Sequence, residues 1–545
     1  MNNVKILDCT LRDGGRIINC EFKDNEITDI SSRLAAANID IIEVGFLRDW
    51  RNVHYQGNST FFTHVEQIRP FIKKTENHTM YVAFIDYGMF DFDSLSPYDG
   101  TSVEGLRVGF TKKNLAASRD DIIKCLKSVK EKGYKLFIQG VNTPGYTDAE
   151  LLEIIKIVND VKPFGFGIVD TYGSMYVEDI RRIFDLVNHN LNEDITIDFH
   201  SHNNFQLSFS FAQEIINLSG GVRPIIIDAT LNGMGKCAGN LNTELIVDYM
   251  VRKKHYNYDL DSILDIIDDY MYAIKQNHSW GYSVPALMAG IYQAHPNNII
   301  YLTEKMRLAT KDIKYILSMI EPGIRQRYDY DNIQRLYAEY NHTKVNDRST
   351  LDFIKALLEN RTIVVMLPGA SIKEYEQEIR SYIQDHDAFV ISVNFISDIT
   401  TPQNSLAFFG SEKRYIKMND KREGSYVAVV SNILRHDEND LVINYESVIS
   451  RNNEDFDNTM IMLLNFLHRI NITQFAIAGF DGYDANQTNN YYQDNLFDEQ
   501  KFANRYEELN ANIRKMLREY AKGLPNKADI HFLTPSIYKN IFEQE

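Results

Sequence analysis

Two kinds of hydrophobic pattern alternate along roughly the first 255 residues. Short apolar runs of four to eight residues are typical of β-strands, and longer segments with apolar residues every three or four positions are typical of amphipathic helices. The pattern predicts strands at 4–11, 39–46, 80–85, 106–110, 135–140, 165–171, 195–202 and 224–231. It predicts helices between most of them, at 25–37, 119–132, 147–161, 175–191 and 206–218.

Eight strands with helical crossovers in about 250 residues indicate an α/β fold of the (β/α)₈ or TIM-barrel type, here over residues 1–255. A doubly wound open sheet is the alternative, but that fold normally carries a glycine-rich phosphate turn after its first strand. The first turn of this chain is Arg12-Asp13-Gly14-Gly15-Arg16, which lacks that fingerprint.

The pattern changes after the eighth unit. Residues 256–345 are mostly helical in pattern and punctuated by prolines, which predicts a helical extension packed on the barrel. A polar stretch at 341–348 indicates a boundary, and residues 350–545 are expected to form a second, Rossmann-like α/β domain. Its strands are predicted at 362–367, 388–394, 426–430, 440–444, 475–478 and 529–533, with a long helix at 498–521.

Composition restricts the classes of function. A chain of 545 residues with 44% hydrophobic residues is expected to form two or three globular domains. Its net charge of −17 argues against nucleic acid as a main partner. Four cysteines without C-x-x-C spacing indicate free thiols in a reducing compartment. With no signal peptide and no apolar run of membrane-spanning length, we expect a cytoplasmic protein that uses no membrane.

The candidate chemistry lies at the ends of the predicted barrel strands, where active sites of such barrels are found. His200 and His202 follow one another on the same side of the seventh strand and could bind one metal ion. A carboxylate and an amide oxygen from other strand ends would complete a mixed site suited to Mg²⁺, Mn²⁺ or Zn²⁺. The strand-end acids Asp8, Asp170 and Asp228 could instead only cap helices or brace loops. The polar strand-end residues that we expect to bind substrate are Glu43, Arg107, Gln139, Asp170 and Thr171.

Five segments, LDCTLRDGG, IIEVGF, VDTYGSM, FHSHNN and NGMGKCAGNLNTE, resemble in this order the DRE-TIM metallolyases. This family contains hydroxymethylglutaryl-CoA lyase, the isopropylmalate and homocitrate synthases and the 4-hydroxy-2-oxovalerate aldolases. Among these, the chain resembles the 4-hydroxy-2-oxovalerate aldolases most. The resemblance implies a divalent metal, Mn²⁺ or Mg²⁺ ahead of Zn²⁺, bound by Asp13, His200, His202 and Asn240. It also implies that Arg12 stabilises the enolate oxygen of a 2-oxo acid or thioester.

The chain departs from the family pattern near that turn. Gly-Gly-Arg follows Asp13, where the synthases that use acyl-CoA carry Gly-Glu-Gln. The 2-oxo acid aldolases use as base a histidine three residues after the metal aspartate, and this chain has Arg16 there. Cys237 lies in the loop where the lyase has a reactive cysteine, and Tyr282 could reach the barrel mouth. Both are candidate catalytic residues. Alternatively, Cys237 is only a small residue of its loop, and Tyr282 is only a tyrosine of the core.

The second domain gives weaker signals. The turn at 368–371 would present backbone N–H groups at a helix start, which is an anion-binding geometry. The domain is loosely similar to Rossmann-like domains of bacterial surface-sugar biosynthesis, including sialyltransferase-like ones. A nucleotide or sugar would then lie near Ser371, Asn394 and Asp481. A purely structural or oligomerising role is the alternative.

The leading functional hypothesis is a metal-dependent aldolase that acts on a 2-oxo acid such as pyruvate and an aldehyde. An acyltransferase that condenses an acyl-CoA is the second hypothesis, and the missing Glu-Gln counts against it. The third is a non-catalytic barrel that serves as a scaffold for a sugar-biosynthesis C-terminal domain. The resemblance also implies a homodimer.

Overall fold

The computed structural model describes residues 3–73, 79–303, 308, 310–340, 344–418, 424–450, 458–484, 490–492, 505–525 and 529–542. The chain divides into two compact units. The first comprises Met1–Ile299 and Glu321–Tyr328, and the second comprises Ile300–Ile320 and Asp329–Glu545. The predicted helical extension at 256–345 thus contributes segments to both units, and the domain limits inferred from the sequence stay a prediction.

A parallel sheet of nine strands organises the first unit. Its order is β1-β9-β8-β7-β6-β5-β4-β2-β3, and an additional pairing of β1 with β2 closes eight of the strands into a barrel. The predicted TIM barrel is therefore confirmed. The strands are β1 (Val4–Asp8), β2 (Ile41–Leu47), β3 (Phe61–Phe62), β4 (Met80–Asp86), β5 (Gly105–Phe110), β6 (Lys135–Gly140), β7 (Gly165–Asp170), β8 (Thr196–Ser201) and β9 (Ile225–Ala229).

Helices surround the barrel and bury one apolar face each against it. Thr147 and Glu150 show how local sequence fixes their starts: the Thr147 side chain accepts from Glu150 N–H, and the Glu150 carboxylate accepts from Thr147 N–H. The helices up to the end of the barrel are α1 (Asp24–Ala36), α2 (Lys112–Glu131), α3 (Asp148–Val161), α4 (Val177–Asn190), α5 (Ser208–Leu218) and α6 (Thr243–Lys254). Short 3₁₀ helices lie at Gly14–Ile18, Val65–Phe71, Phe92–Ser94, Thr143–Gly145 and Leu231–Gly233.

The segment after the barrel is helical, as the proline-punctuated pattern predicts. One π turn, Ile267–Met271, joins the first two of its helices. The helices are α7 (Leu260–Ile266), α8 (Tyr272–Asn277), α9 (Val284–Tyr292), α10 (Pro296–Thr303), α11 (Thr310–Met319), α12 (Pro322–Arg325) and α13 (Tyr330–Tyr340).

The second unit is built on a seven-stranded parallel sheet of order β14-β13-β12-β11-β10-β15-β16. This is the doubly wound order, in which the chain builds outward from β10 on one side and then returns to its other side. The strands are β10 (Ile363–Met366), β11 (Phe389–Val393), β12 (Ser405–Phe409), β13 (Tyr426–Val430), β14 (Leu441–Ile443), β15 (Phe475–Ala478) and β16 (Ile530–Phe532). The helices are α14 (Arg348–Leu358), α15 (Ser371–Glu374), α16 (Glu376–Asp385), α17 (Glu412–Lys417), α18 (Thr459–Arg469) and α19 (Tyr506–Lys522), with 3₁₀ turns at Pro402–Asn404, Tyr445–Ser447 and Lys539–Ile541.

The sequence pattern does not predict two of these strands, β3 and β12. Strand β3 has two residues, which is too short for any periodic signal. Strand β12 follows a proline and an asparagine, which are typical of a loop. Part of the predicted helix 498–521, residues 498–504, and part of the predicted boundary, residues 341–343, lie outside the described residues. None of the helices in the described ranges combines the length and apolar character needed to cross a membrane.

Candidate metal centre

Asp13, His200 and His202 meet at the mouth of the barrel. Asp13 lies in the turn after β1, while His200 is on β8 and His202 follows it directly. Their ligand atoms all lie within 4.8 Å of one another. Nε2 of His202 is 3.0 Å from Asp13 Oδ2, and Nε2 of His200 is 3.8 Å from the same oxygen. Three donors of the types that bind divalent metals therefore face a common point.

Both imidazoles are held through their other ring nitrogen. Nδ1 of His200 lies 3.0 Å from Asp228 Oδ2, and Nδ1 of His202 lies 2.5 Å from the backbone carbonyl of Thr171. A proton on Nδ1 satisfies these acceptors, so Nε2 is the ring atom that would face a metal ion in both residues. Such outer contacts are the usual way in which a protein fixes the tautomer and the ring orientation of metal-binding histidines.

Asn240 is the fourth member of the group. It pairs with His202 in an isolated antiparallel bridge, and its Nδ2 donates to Asp13 Oδ2 at 3.1 Å and to the Met234 carbonyl at 2.9 Å. Its Oδ1 is buried and finds no hydrogen-bond partner among the described residues. Gly239 makes this position possible: its φ is +77°, and a Cβ there would lie 1.9 Å from the Gly233 carbonyl oxygen.

The electrostatics of these residues suit a divalent cation. Burial lowers the pKa of His200 to about 3, so this imidazole is neutral and can act as a ligand. Burial opposes ionisation of Asp13, but Arg12 and the two histidines outweigh it and hold its pKa well below the usual value. The unpartnered Oδ1 of Asn240 offers a further oxygen. Burial opposes protonation of His202, but its hydrogen bond to Asp13 outweighs burial and raises the pKa of this imidazole, so a metal ion would displace its proton. One carboxylate, two imidazoles and one amide oxygen fit Mg²⁺, Mn²⁺ or Zn²⁺.

A buried ion network links the opposite sides of this site. Arg12 contacts Asp13 Oδ1 and Glu43 Oε2, each at 2.5 Å. Arg107, which is completely buried, lies 3.1 Å from Glu43 and 2.6 Å from Asp228, the residue that holds His200. The carboxylate of Asp13 and the imidazole of His200 are thus connected through two arginines and two acids.

The same network contains more acid than base. Arg107 also contacts Asp198 at 2.7 Å, and Gln139 Nε2 donates to that carboxylate at 2.6 Å. Burial and the neighbouring Asp228 raise the pKa of Asp198 to about 7. Four carboxylates and the guanidinium groups of Arg12 and Arg107 give these buried residues a formal charge of −2 when every group is ionised, and Arg16, 3.3 Å from Asp13, offsets one of these charges. A bound divalent cation would neutralise this excess.

A cavity of about 210 Å³ opens next to the site. Of the residues predicted from the sequence to bind substrate, Gln139 and Thr171 line it, whereas Glu43, Arg107 and Asp170 are buried and do not. Asp170 instead accepts from the backbone N–H groups that follow β7. The cavity is lined by Arg12, Asp13, Arg16, Phe84, Asp86, Gln139, Val141, Val169, Thr171, Tyr172, His200, His202, Asn204, Lys236, Cys237, Ala294, His295 and Pro296.

The two predicted catalytic residues other than Arg12 lie in different places. Cys237 lines the cavity, and burial raises the pKa of its thiol to about 11. It is therefore a neutral thiol at neutral pH and a weak nucleophile. Tyr282 is 57% exposed and does not line the cavity. The fold thus brings Cys237 to the cavity and leaves Tyr282 outside it.

Arg16 occupies the position where the aldolases carry a histidine. Its Nε lies 3.3 Å from Asp13 Oδ1 and its Nη2 lies 3.6 Å from Asp86. Asp86 also accepts from Arg48 at 2.8 Å, and although burial opposes ionisation, Arg16 and Arg48 keep the pKa of Asp86 below its usual value. Arg16 and Asp86 are thus a charged pair at the cavity wall and supply no base.

His295 lies on another wall of the same cavity, just before α10. Its Nδ1 accepts a hydrogen bond from the backbone N–H of Asn297 at 3.2 Å, so the neutral ring carries its proton on Nε2. Burial, with the positive charges of Lys236 and Arg16, lowers the pKa of His295 to about 4. His295 is therefore a neutral imidazole that can donate a hydrogen bond.

Sequence reasoning identifies the metal-facing residues but not His295 or Lys236 as cavity residues. The metal-facing residues follow from the strand-end rule and from the family motifs. His295 stands in a helical segment with no motif and no strand end, so no local signal distinguishes it from the exposed His278 nearby.

Comparison with known proteins is consistent with this geometry. Residues 3–269 match the HMGL-like family model. This part of the chain is an HMGL-like domain. The resemblance to the DRE-TIM metallolyases is thereby confirmed for the first half of the chain.

The individual relatives are distant. An oxaloacetate decarboxylase of Mycobacterium tuberculosis is 26% identical over 262 residues, which cover 48% of this chain and 74% of that protein. A 4-hydroxy-2-oxovalerate aldolase of Carboxydothermus hydrogenoformans is 22% identical over 315 residues, covering 57% and 90%. The crystal structure of the N-terminal domain of a putative aldolase from Bacteroides vulgatus matches with a TM-score of 0.45 and 23% identity, over 61% of this chain and 99% of that one.

The family restricts the chemistry in general terms. Its members are enzymes that include aldolases, lyases and acyl-CoA-dependent synthases, and they depend on divalent metals. They act on small-molecule 2-oxo acids.

Proposed function

We propose that the first unit is a divalent-metal-dependent carbon–carbon lyase, an aldolase that acts through the enolate of a 2-oxo acid such as pyruvate with an aldehyde as second substrate. The observation that carries the proposal is the convergence of Asp13, His200 and His202 on one point beside Arg12, with Asn240 in contact with Asp13. The named relatives add support, since oxaloacetate and 4-hydroxy-2-oxovalerate are both 2-oxo acids.

A divalent cation bound by these four residues would supply a Lewis acid for the oxygens of the 2-oxo acid. Arg12 supplies the second electrophile. Its guanidinium is held by Glu43 and Asp13, lies 4.6 Å from the ring centre of Phe84 and lines the cavity. A buried donor fixed in this way needs little reorganisation to stabilise an oxygen that becomes negative during enolisation.

His295 suits the second substrate. Aldol addition forms a bond between the enolate carbon and the aldehyde carbon, and the aldehyde oxygen becomes negatively charged. The neutral ring of His295 has its Nε2–H available as a donor to that oxygen, because Nδ1 is occupied by the Asn297 N–H. We assign to His295 the role of stabilising the aldehyde oxygen in addition, and the corresponding alkoxide in cleavage.

The other cavity residues take supporting roles in this proposal. Gln139 and Thr171 line the cavity and would contact the 2-oxo acid. Glu43 and Arg107, which do not reach the cavity, would act as positioning residues for Arg12 and His200. Cys237, as a neutral thiol, would shape the wall of the cavity without taking part in the chemistry.

The test is enolisation of pyruvate without an aldehyde. Metal-loaded protein is incubated with pyruvate in D₂O, and loss of the methyl-proton signal is followed by NMR. We expect exchange that stops with EDTA and in His200→Ala, and that persists in the surface variant His278→Ala. Exchange that is indifferent to both EDTA and His200→Ala would contradict the proposal. An absence of exchange with several 2-oxo acids would contradict it too. If the protein then released thiol from acetyl-CoA, the acyltransferase hypothesis would be favoured.

A further inference from the structure

The second unit has its own cavity, of about 200 Å³, at the carboxyl ends of its parallel strands. It lies where the strand order reverses, between β10 and β15. The segments after both strands line it: Pro368 and Gly369 follow β10, and Phe480, Asp481 and Gly482 follow β15. Doubly wound sheets bind their ligands in the crevice at this switch point, because the loops on its two sides diverge there.

The turn at 368–371, predicted from the sequence to bind an anion, is already occupied by the protein itself. Asp481 accepts from Ser371 N–H at 2.8 Å and from Ser371 Oγ at 2.5 Å. Gly369 N–H donates to the Gly479 carbonyl at 3.0 Å, and Ala370 N–H donates to Asn490. The prediction for this turn is wrong, because Asp481 supplies the negative charge that a ligand would bring. Asp481 still lines the cavity, where its carboxylate can accept from ligand hydroxyl groups.

A cation lies elsewhere on the wall. Arg414 in α17 is the basic residue among the described residues that line the cavity, and only 7% of its surface is exposed. Its guanidinium carbon is 5.0 Å from the ring centre of Tyr491, which also lines the cavity. A guanidinium carries several N–H donors and can recognise a phosphate by paired hydrogen bonds, which makes Arg414 the candidate for a phosphate contact.

Rings and apolar side chains form much of the remaining surface. Phe480 and Tyr538 pack with their ring centres 4.6 Å apart, and Tyr483 stacks on Tyr506 at 5.2 Å with an angle of 14°. Ile513 of α19 also lines the cavity. Among the rings, Phe480, Tyr483 and Tyr538 line it and offer flat apolar surface of the kind on which a planar heterocycle packs.

Asn394, at the end of β11, is held rigidly at the cavity. Its Nδ2 donates to Thr459 Oγ1 at 3.0 Å, and its Oδ1 accepts from Gly410 N–H at 3.1 Å. One amide hydrogen and one lone pair remain for a ligand. The cavity therefore combines a cation, fixed polar groups that suit hydroxyls, and aromatic surface.

We propose that this cavity binds a nucleotide at the level of a nucleoside 5′-monophosphate. Arg414 binds the phosphate, Asp481 and Asn394 accept and donate hydrogen bonds to the ribose hydroxyls, and the base packs among the aromatic side chains. This inference does not depend on the proposed function of the barrel, since every residue that carries it belongs to the second unit.

The first test uses the wild-type, metal-loaded full chain and isothermal titration calorimetry. The probes are AMP, GMP, CMP and UMP, the four corresponding nucleosides, ribose 5-phosphate and inorganic phosphate. We expect at least one nucleotide to bind with one-to-one stoichiometry. It should bind at least tenfold more tightly than its nucleoside, because a buried arginine–phosphate contact contributes at least that much. It should also bind at least tenfold more tightly than ribose 5-phosphate.

The second test locates the site. Arg414→Gln should weaken nucleotide binding at least tenfold, and so should Tyr491→Leu, which provides an independent test if the arginine variant does not fold. Arg335→Gln, at a surface ion pair of the same unit, should have no effect. Lys236→Gln removes a positive charge from the wall of the barrel cavity. It should change the nucleotide affinity less than threefold, because the proposed nucleotide site is the cavity of the second unit.

Three results would overturn the proposal. The first is that no nucleotide binds more tightly than its nucleoside. The second is equal affinity for ribose 5-phosphate and the nucleotides, which would indicate a sugar-phosphate site without base recognition. The third is unchanged affinity in folded Arg414→Gln and Tyr491→Leu proteins.

Discussion

Arg107 Nη2 and Asp228 Oδ2 lie 2.6 Å apart inside the barrel, and the same carboxylate oxygen lies 3.0 Å from Nδ1 of His200. Asp228 therefore orients a metal-facing imidazole without reaching the cavity itself. We predict that Asp228→Asn lowers the affinity for Mn²⁺ by about 10- to 100-fold, because the amide no longer favours the tautomer with a lone pair on Nε2. Isothermal titration calorimetry measures this. The control is Asp248→Asn, at a surface ion pair with Arg252, which should leave the affinity unchanged. Equal affinities for the two variants would show that the Asp228 contact does not orient the ligand.

Metal binding should stabilise the first unit. The four carboxylates of the buried network outnumber the guanidinium groups of Arg12 and Arg107, and a divalent cation would compensate the remaining negative charge. At a metal concentration of 100 times Kd, binding adds about 2.7 kcal/mol to the free energy of unfolding. Both tryptophans, Trp50 and Trp280, belong to the first unit, so their fluorescence follows its melting specifically. We expect Mn²⁺ to raise the Tm of EDTA-treated protein but not that of His200→Ala. The same rise in both proteins would place the metal elsewhere.

The role assigned to His295 predicts a separation between two steps. His295→Leu should lower the rate of aldol addition or cleavage by about 10²–10³-fold, which is typical of the loss of one donor to a developing oxyanion. Exchange of the pyruvate methyl protons should change less than threefold, because it involves no aldehyde. His295→Gln keeps an N–H donor and should recover part of the lost rate. His278→Leu, at an exposed histidine, serves as the control. Equal loss of exchange and of aldol turnover in His295→Leu would instead assign His295 to enolisation.

The lowered pKa of His295 also makes a prediction about folding. Burial and the neighbouring cations keep this ring neutral down to about pH 4, whereas in the unfolded chain it binds a proton near pH 6.5. The unfolded state therefore holds more protons between these values, and this contribution destabilises the fold as pH falls, by at most about 3 kcal/mol. In EDTA, urea unfolding followed by tryptophan fluorescence should show a smaller loss of stability between pH 7.5 and 4.5 in His295→Gln than in wild type. Parallel pH profiles would show that the ring is solvated.

Gly239 tests the contribution of Asn240. A Cβ at Gly239 would meet the Gly233 carbonyl oxygen at 1.9 Å, so Gly239→Ala must displace the loop that positions Asn240. We predict a loss of Mn²⁺ affinity of at least tenfold. Gly221 has a similar φ of +71°, but a Cβ there would meet nothing within 4 Å, so Gly221→Ala carries the same conformational cost without the clash. Equal effects of the two substitutions would attribute the result to backbone strain alone.

Much of the fold could be predicted from the sequence. Parallel strands buried on both faces give continuous apolar runs, which is why the pattern predicts all eight barrel strands. Strand β12 escapes prediction because Pro402 and Asn404 precede it and its pattern, Ser-Leu-Ala-Phe-Phe, is too short to stand out from a loop. The limits of long helices are less predictable: α2 begins at Lys112, where Thr111 and Asn114 cap it. Ser118 then interrupts it with non-helical φ and ψ, so the predicted start at 119 matches the segment after this kink.

The site could be predicted where local sequence determines it. His200 and His202 are two residues apart on a strand, and Asp13 follows the first strand, so the barrel geometry alone brings them together. Burial depth could not be predicted. Glu43 and Arg107 are polar residues on barrel strands with the same pattern as Gln139, yet they pair with each other beneath the cavity while Gln139 reaches it. Which polar side chain faces a ligand and which faces another side chain depends on partners far away in the sequence.

The continuous contacts from Asp13 through Arg12, Glu43, Arg107 and Asp228 to His200 have a consequence for protein engineering. Asp13, in the turn after β1, and His200, on β8, share one set of braces, so we expect replacement of either one to shift the other. Effects of paired substitutions along this path should therefore not add. Anyone who wishes to change the metal preference of this barrel would have to redesign the whole path at once, since neither of the two metal-facing groups that it joins can be exchanged independently.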